Sequence, residues 1–260
     1  MSFGKGDVGG RSASDRSLRE LEERARTPRG AALLAFRSTI GAHQYRRLHA
    51  WVLEWVPAGA EVLDWGAGNG HFSHFLQRAG YRVTGFSLGS GDFVPNLPGP
   101  EAYRFVAGSP DEPTRLPFPD AHFDAVCSVG VLEHVRETGG DELASLCELR
   151  RVLRPGGCVL CFHLPNRRSW IERAARRLPE AHRHDWRFDA AQVSQLVAGA
   201  GLQLVRLSAY GLLPRNRAAA LPELLRRSLW LARLWDRADE GLGRVAGRWA
   251  QNWCFVARRS

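Results

Sequence analysis

Lysine is almost missing from this chain. Lys5 is its single lysine, so nearly all of the 36 basic residues are arginine. A formal charge of +9 ordinarily suggests an acidic partner, such as nucleic acid, a phosphorylated substrate or anionic lipid. An arginine-biased composition gives the same excess without function, so charge alone assigns no partner. The chain also has no apolar run of transmembrane length, because charge or glycine interrupts each candidate. The opening MSFGKGDVGGRSASDRS carries no apolar h-region of a secretory signal. These two absences predict a cytoplasmic protein. There are neither internal repeats nor a low-complexity tract. Cysteines number five, an odd count that argues against a disulfide framework. Cys158 and Cys161 form a C-x-x-C, but GGCVLCFHL reads as a buried strand in which positions three apart face opposite ways. Neither a metal nor a disulfide is expected there.

What is present is an alternation of strands and helices. Residues 1–30 are polar and glycine-rich, and read as a mobile arm with a short helical piece at Ser17–Arg26. Apolar residues at helical spacing over Ala31–Val56 predict one or two helices. Strands are expected at Glu61–Asp64, Tyr81–Phe86, Tyr103–Ala107, within Phe123–Val135, and at Cys158–Phe162, Leu202–Leu207 and Trp253–Ala257. Helices are expected at Gly70–Ala79, Asp141–Leu153 and Asp189–Ala200, the last capped by Asp189 and closed by Gly201. Arg154–Gly157 reads as a turn. The pattern predicts an α/β protein with a Rossmann-like, doubly wound, mainly parallel sheet. Residues 213–251 form a helical insert before the last strand, in which Leu221, Leu224, Leu225, Leu231, Leu234 and Trp235 can line one face.

EVLDWGAGNGHFS places a strand, a glycine loop and a helix start in succession. Glycines at 66, 68 and 70 allow a sharp turn and close approach to a ligand. A dinucleotide fingerprint would place its third glycine at position 71, which is His71. Asp64, two residues before the first glycine, would repel a pyrophosphate but suits a cationic amino-acid moiety. The loop therefore favours S-adenosyl-L-methionine over NAD.

Two further segments extend the match. LPFPDAHFDAVCSVGVLEHV (Leu116–Val135) and ELRRVLRPGGCVL (Glu148–Leu160) follow the loop in order. Together the three pieces resemble the class I S-adenosylmethionine-dependent methyltransferases, over roughly Glu61–Leu207, and Trp253–Ala257 matches that family's closing antiparallel strand. PNRRSW and HDWRF (Pro165–Trp170 and His184–Phe188) resemble segments of the small-molecule and quinone O-methyltransferases. The resemblance implies a seven-stranded sheet with one antiparallel strand, a methyltransferase domain over 31–260, and S-adenosyl-L-methionine as cofactor. It implies cofactor contacts from Asp64, Trp65, Gly66, Ala67, Gly68, Asn69, Ser87, Ser109, Pro110 and Ser128.

The departures are specific. In the family the second strand ends in a carboxylate that holds the ribose hydroxyls; here that place is Phe86 or Ser87, with Asp92 a nearby substitute. A hydroxyl lacks the charge-assisted strength of a carboxylate. The family's G-D-A after the third strand reads Gly108-Ser109-Pro110. Some quinone enzymes bind a divalent ion through E-x-x-E-H; here Gly130 replaces the first ligand ahead of Glu133 and His134, so no metal is expected.

Methyl transfer to an alcohol or phenol benefits from a general base. His134, just after the fourth strand, leads because that strand end faces the switch-point crevice. His184 and Asp185 are second candidates, and His163 ends the fifth strand. His71 and His74 read as ordinary polar positions. The expected acceptor is a small or lipid-linked metabolite methylated on oxygen. Nucleic acid is not expected: the place after the fourth strand reads Ser128-Val129-Gly130-Val131 rather than a D/N-P-P-aromatic motif, and there is no Pro-Cys pair. A non-catalytic binding protein is the other alternative. Contact with the inner face of a membrane through 221–248 is a further expectation. The oligomeric state and the acceptor's identity are not legible.

Overall fold

The computed structural model describes residues 7–88, 104–177 and 184–260. Asp92 and Tyr103 lie outside them. Seven strands form one sheet in the order β3-β2-β1-β4-β5-β7-β6. They are β1 Glu61–Trp65, β2 Arg82–Leu88, β3 Arg104–Gly108, β4 Phe123–Val129, β5 Leu153–Pro165, β6 Leu202–Tyr210 and β7 Asn252–Arg259. Only β7 runs antiparallel, and it pairs with both β5 and β6. The order reverses between β1 and β4, where a doubly wound sheet leaves its crevice beyond the strand ends.

Helices cover both faces. On one side α1 (Asp7–Arg24), α2 (Thr39–Trp55) and α3 (His71–Arg78) pack over Val62, Ala125, Cys158 and Leu160. On the other, α4 (Glu142–Val152) and α6 (Ala190–Gly199) cover Leu63, Val126, Val159 and Cys161, while the short α5 (Trp170–Ala175) and α7 (Glu223–Arg226) follow β5 and β6. Cys158 and Cys161 thus belong to opposite cores, as period-two alternation requires. The helix starts are chemically set. Ser38 and Asp141 accept hydrogen bonds from the first turns of α2 and α4, and Asp189 with Gln192 closes a capping box on α6.

Three expectations need correction. The stretch read as a mobile arm contains α1, which is docked by Leu18 and Leu21 in the core and by polar pairs. Ser14 Oγ lies 2.8 Å from His49 Nδ1, Glu20 contacts His74 and Arg78, and Asp15 meets Arg46. Second, Arg154–Gly157 is a bulge inside β5 rather than a turn before it. Phe123 pairs with Leu153 and Ala125 with Cys158, so the intervening residues loop out. Third, the apolar positions of the insert do not share one face. Leu221, Leu231 and Trp235 pack with Ile40, Ala218 and Ala232, whereas Leu224, Leu225 and Leu234 are exposed.

Candidate functional site

The strand–loop–helix unit at β1 builds the centre of the site. Gly66, Gly68 and Gly70 all adopt left-handed φ, at 76°, 48° and 73°. A Cβ on Gly66 would lie 2.3 Å from Val131 Cγ2, so glycine is required there on two counts. The loop is tied to β2: the N–H groups of Gly66 and Ala67 both donate to Phe86 O at 2.8 Å. Gly68 N–H donates to Ser87 Oγ at 3.1 Å.

Above this loop lies a cavity of about 240 Å³, of nucleoside size. It is lined by Trp65, Gly66, Gly68, Phe86, Ser87, Leu88, Pro113, Gly130, Val131, His134, Val135 and Thr138. Five expected residues therefore converge on it: Trp65, Gly66, Gly68, Ser87 and His134. Pro113 and Thr138 belong to no recognisable motif, and Val131, inside the Leu116–Val135 segment, was not singled out as a contact. Phe86 turns its ring toward Gly108, leaving the Ser87 hydroxyl as the polar group at the end of β2.

The other expected residues sit elsewhere. Asp64 is buried beneath the loop, with Oδ2 accepting from Ser73 Oγ at 2.5 Å. Burial pushes its carboxyl up to about 6, against the Ser73 hydrogen bonds that pull it down. Ala67 is buried, and the Asn69 amide donates to Ala32 O at 3.2 Å. Ser109 and Pro110 are exposed and do not line the cavity, and Ser109 Oγ accepts from Asp111 N–H. Ser128 is buried on β4, between Trp65 and Cys161 in register.

His134 stands on a 3-10 turn, Leu132–Thr138, that follows β4. Its Nδ1 is 2.7 Å from Glu137 Oε1, and its Nε2 is 3.9 Å from Glu133 Oε1. Burial raises the Glu133 carboxyl to about 7. His184 arrives from a distant segment, its ring centroid 5.6 Å from that of His134. Its Nδ1 is 3.1 Å from Glu172 Oε1. Burial disfavours the imidazolium, but the Glu172 hydrogen bond and charge prevail and raise its pKa. Asp185 does not join this group. It is exposed and has no hydrogen bond or ion pair among the described residues. One ligand atom each from Glu133, His134 and His184 lies within 4.8 Å of the others, a donor set able to hold a divalent ion. The expectation of no metal rested on Gly130 replacing the first ligand; the fold brings in His184 as a third donor instead.

Three further histidines, none of them among the residues that line the cavity, are held by specific partners. His71 and His74 are not ordinary polar positions. His74 contacts Glu20 at 2.7 Å, and His71 packs edge-on against Tyr45 at 5.1 Å, with burial pulling its pKa down to about 4. His163 adopts φ 62°, a left-handed conformation rare for a residue with a Cβ. Tyr210 holds it there: the hydroxyl accepts from His163 N–H at 2.8 Å and lies 2.9 Å from Nδ1. Burial lowers the His163 pKa to about 3, so the ring is neutral. A neutral ring that takes the hydroxyl proton at Nδ1 carries its own at Nε2.

A family model described as a methyltransferase domain matches residues 37–207. The chain belongs to the methyltransferase domain family. It is 36% identical over 123 residues to a demethylmenaquinone methyltransferase of Tropheryma whipplei, covering 43% of this chain and 46% of the relative. It is 30% identical to a ubiquinone biosynthesis O-methyltransferase of Dinoroseobacter shibae, covering 56% and 61%. The chain thus spans about half the length of the curated relatives it matches. The fold resembles that of a SAM-dependent methyltransferase from Archaeoglobus fulgidus, at TM-score 0.56 and 16% identity over 83% of this chain and 93% of that one. At that identity the likeness speaks for the fold alone. The cofactor of the family is S-adenosyl-L-methionine, and the site fits it. Three left-handed glycines turn the loop tightly beside the cavity, and the cavity suits a nucleoside.

Proposed function

We propose that this chain transfers a methyl group from S-adenosyl-L-methionine to an oxygen of a small or lipid-linked acceptor of quinol or phenol character. The observation that carries this reading is His134: an imidazole on the wall of the loop cavity, braced by Glu137 and facing Glu133 and His184. The bound cofactor supplies an activated methyl on a sulfonium. The protein's part is to hold the acceptor in line, exclude water and accept the proton that the hydroxyl loses. Trp65, Gly66, Gly68 and Ser87 would hold the nucleoside half, and Asp64 provides a carboxylate for the cationic amino-acid half. His134 takes the acceptor proton, with Glu137 in contact with its Nδ1 and orienting the ring. The named activities of the quinone-methylating relatives support the acceptor class.

The test is radiolabelled methyl transfer to a panel of quinols and catechols, beside calorimetric titration with S-adenosylhomocysteine. His134→Ala should lower turnover by about 10²–10⁴-fold while leaving cofactor affinity within a few-fold. Full turnover in this variant would remove His134 from the chemistry. No cofactor binding by the parent protein would defeat the reading altogether.

A further inference from the structure

Helix α8 (Leu229–Ala246) carries its polarity the wrong way round for a helix that merely packs on a domain. Two of its acids point inward. Asp236 lies 2.6 Å from Arg215 and 2.9 Å from His43, and Asp239 accepts from Leu213 N–H at 2.7 Å. Leu231, Ala232 and Trp235 share that inner face. The outer face bears a second apolar seam, Trp230, Leu234, Ala238, Gly241 and Val245, at spacings of four, four, three and four residues. Trp230 is 72% exposed, Leu234 47% and Val245 90%. Such spacing places these residues on one stripe of the helix, along a rod of about 27 Å. Beside the stripe runs a row of exposed arginines, Arg233, Arg237 and Arg244, none with an ion pair among the described residues. Glu240 is the one acid of α8 left outside.

A continuous apolar stripe at the surface marks a place where something docks. We propose that the outer face of α8 is a docking surface for an anionic phospholipid bilayer. Tryptophan and leucine would enter the headgroup boundary, and the arginine row would meet lipid phosphates. Charge decides between occupants. A second copy of this helix would offer the arginines only Glu240, because Asp236 and Asp239 are turned inward. An anionic surface complements both the row and the chain's charge of +9. This inference goes beyond methyl transfer and does not depend on it.

Vesicle flotation of the full chain tests the assignment, with phosphatidylcholine vesicles made with and without phosphatidylglycerol. S-adenosylhomocysteine affinity serves as the control for folding. The protein should float with the anionic vesicles, sink with the neutral ones, and be released by salt. Arg233→Gln with Arg237→Gln should reduce partitioning by about 25-fold, roughly fivefold per arginine. Trp230→Ser with Leu234→Ser should reduce it by at least about tenfold. If a double variant loses cofactor binding, Arg237→Gln alone, at an exposed position, carries the test with its fivefold effect. Absence of flotation with anionic vesicles would overturn the proposal, as would variants that partition like the parent. A concentration-dependent dimer in sedimentation velocity, abolished by Trp230→Ser, would assign the seam to a second copy instead and equally overturn it.

Discussion

Asp64 offers the sharpest test of the site, because the structure holds a carboxylate where burial opposes its charge. Its folded pKa is about 6 against an ordinary 3.8, a rise of roughly two units or on the order of 3 kcal/mol. The sign follows from linkage. The raised folded value favours the protonated form, so this stability is fully present below the unfolded pKa of 3.8 and is lost as pH climbs through about 6. Asp64→Asn cannot ionise, and its amide oxygen can still accept from Ser73. The variant should match the parent near pH 4, in line with the unfolded pKa of 3.8, and gain stability between there and about 6. Above that it should be more stable by about 3 kcal/mol, or roughly 6–10 °C in Tm for a chain of this size. Thermal melts of both proteins across this pH range measure the gap. A gap that stays flat with pH would refute the claim that burial suppresses Asp64 ionisation. Cofactor titration completes the argument. The same variant should lose at least about tenfold in S-adenosylmethionine affinity, because a neutral amide cannot compensate the ligand's ammonium. Retained affinity would mean that the buried charge does not serve the ligand.

Other substitutions probe separate parts of the structure. Gly66→Ala places a Cβ 2.3 Å from Val131 at a left-handed φ, so S-adenosylhomocysteine affinity should fall at least about tenfold and stability by about 1–2 kcal/mol, read by calorimetry and urea melts. Tyr210→Phe removes the acceptor for His163 N–H, and a lowered urea midpoint should report a loss of about 1–3 kcal/mol. Arg215→Ala leaves Asp236 and Asp239 without their buried cation. It should cost about 3 kcal/mol and speed amide exchange in α8, with cofactor affinity unchanged.

Much of the architecture could be read from hydrophobic period and glycine position, because both are local. All seven strands and the helices α3, α4 and α6 lie within a few residues of where the local pattern places them. What escaped was held by tertiary contacts with weak local signals. Helix α1 has a polar sequence and few apolar residues, yet Ser14, Asp15 and Glu20 find partners on α2 and α3. The Glu133–His134–His184 group joins residues fifty apart, and no spacing rule links them. His163 could be placed at the crevice from its strand end. Its left-handed backbone depends on Tyr210, some fifty residues downstream, and on the break in register between Cys161 and Leu164 against β7. The insert misled for a related reason: helical spacing reports that apolar residues fall on stripes, not how many stripes there are or which one meets the core.

That second stripe bears on how the insert and the crevice are joined. Asp239 of α8 fixes Leu213 N–H, three residues beyond the end of β6. The last residue of β6 is Tyr210, whose hydroxyl holds His163 in its left-handed conformation at the end of β5. Tyr210, Asp239 and Arg244 also share a cavity of about 340 Å³ with Arg47. The inward acids of α8 therefore do two things at once. They anchor the helix so that its apolar seam must face away from the domain, and they tie its position to the strand end that sets His163. An insert held by buried ion pairs keeps one orientation, where an insert held by leucines alone could roll to bury its outer stripe. The polar inner face is thus the physical reason that the apolar outer face stays available.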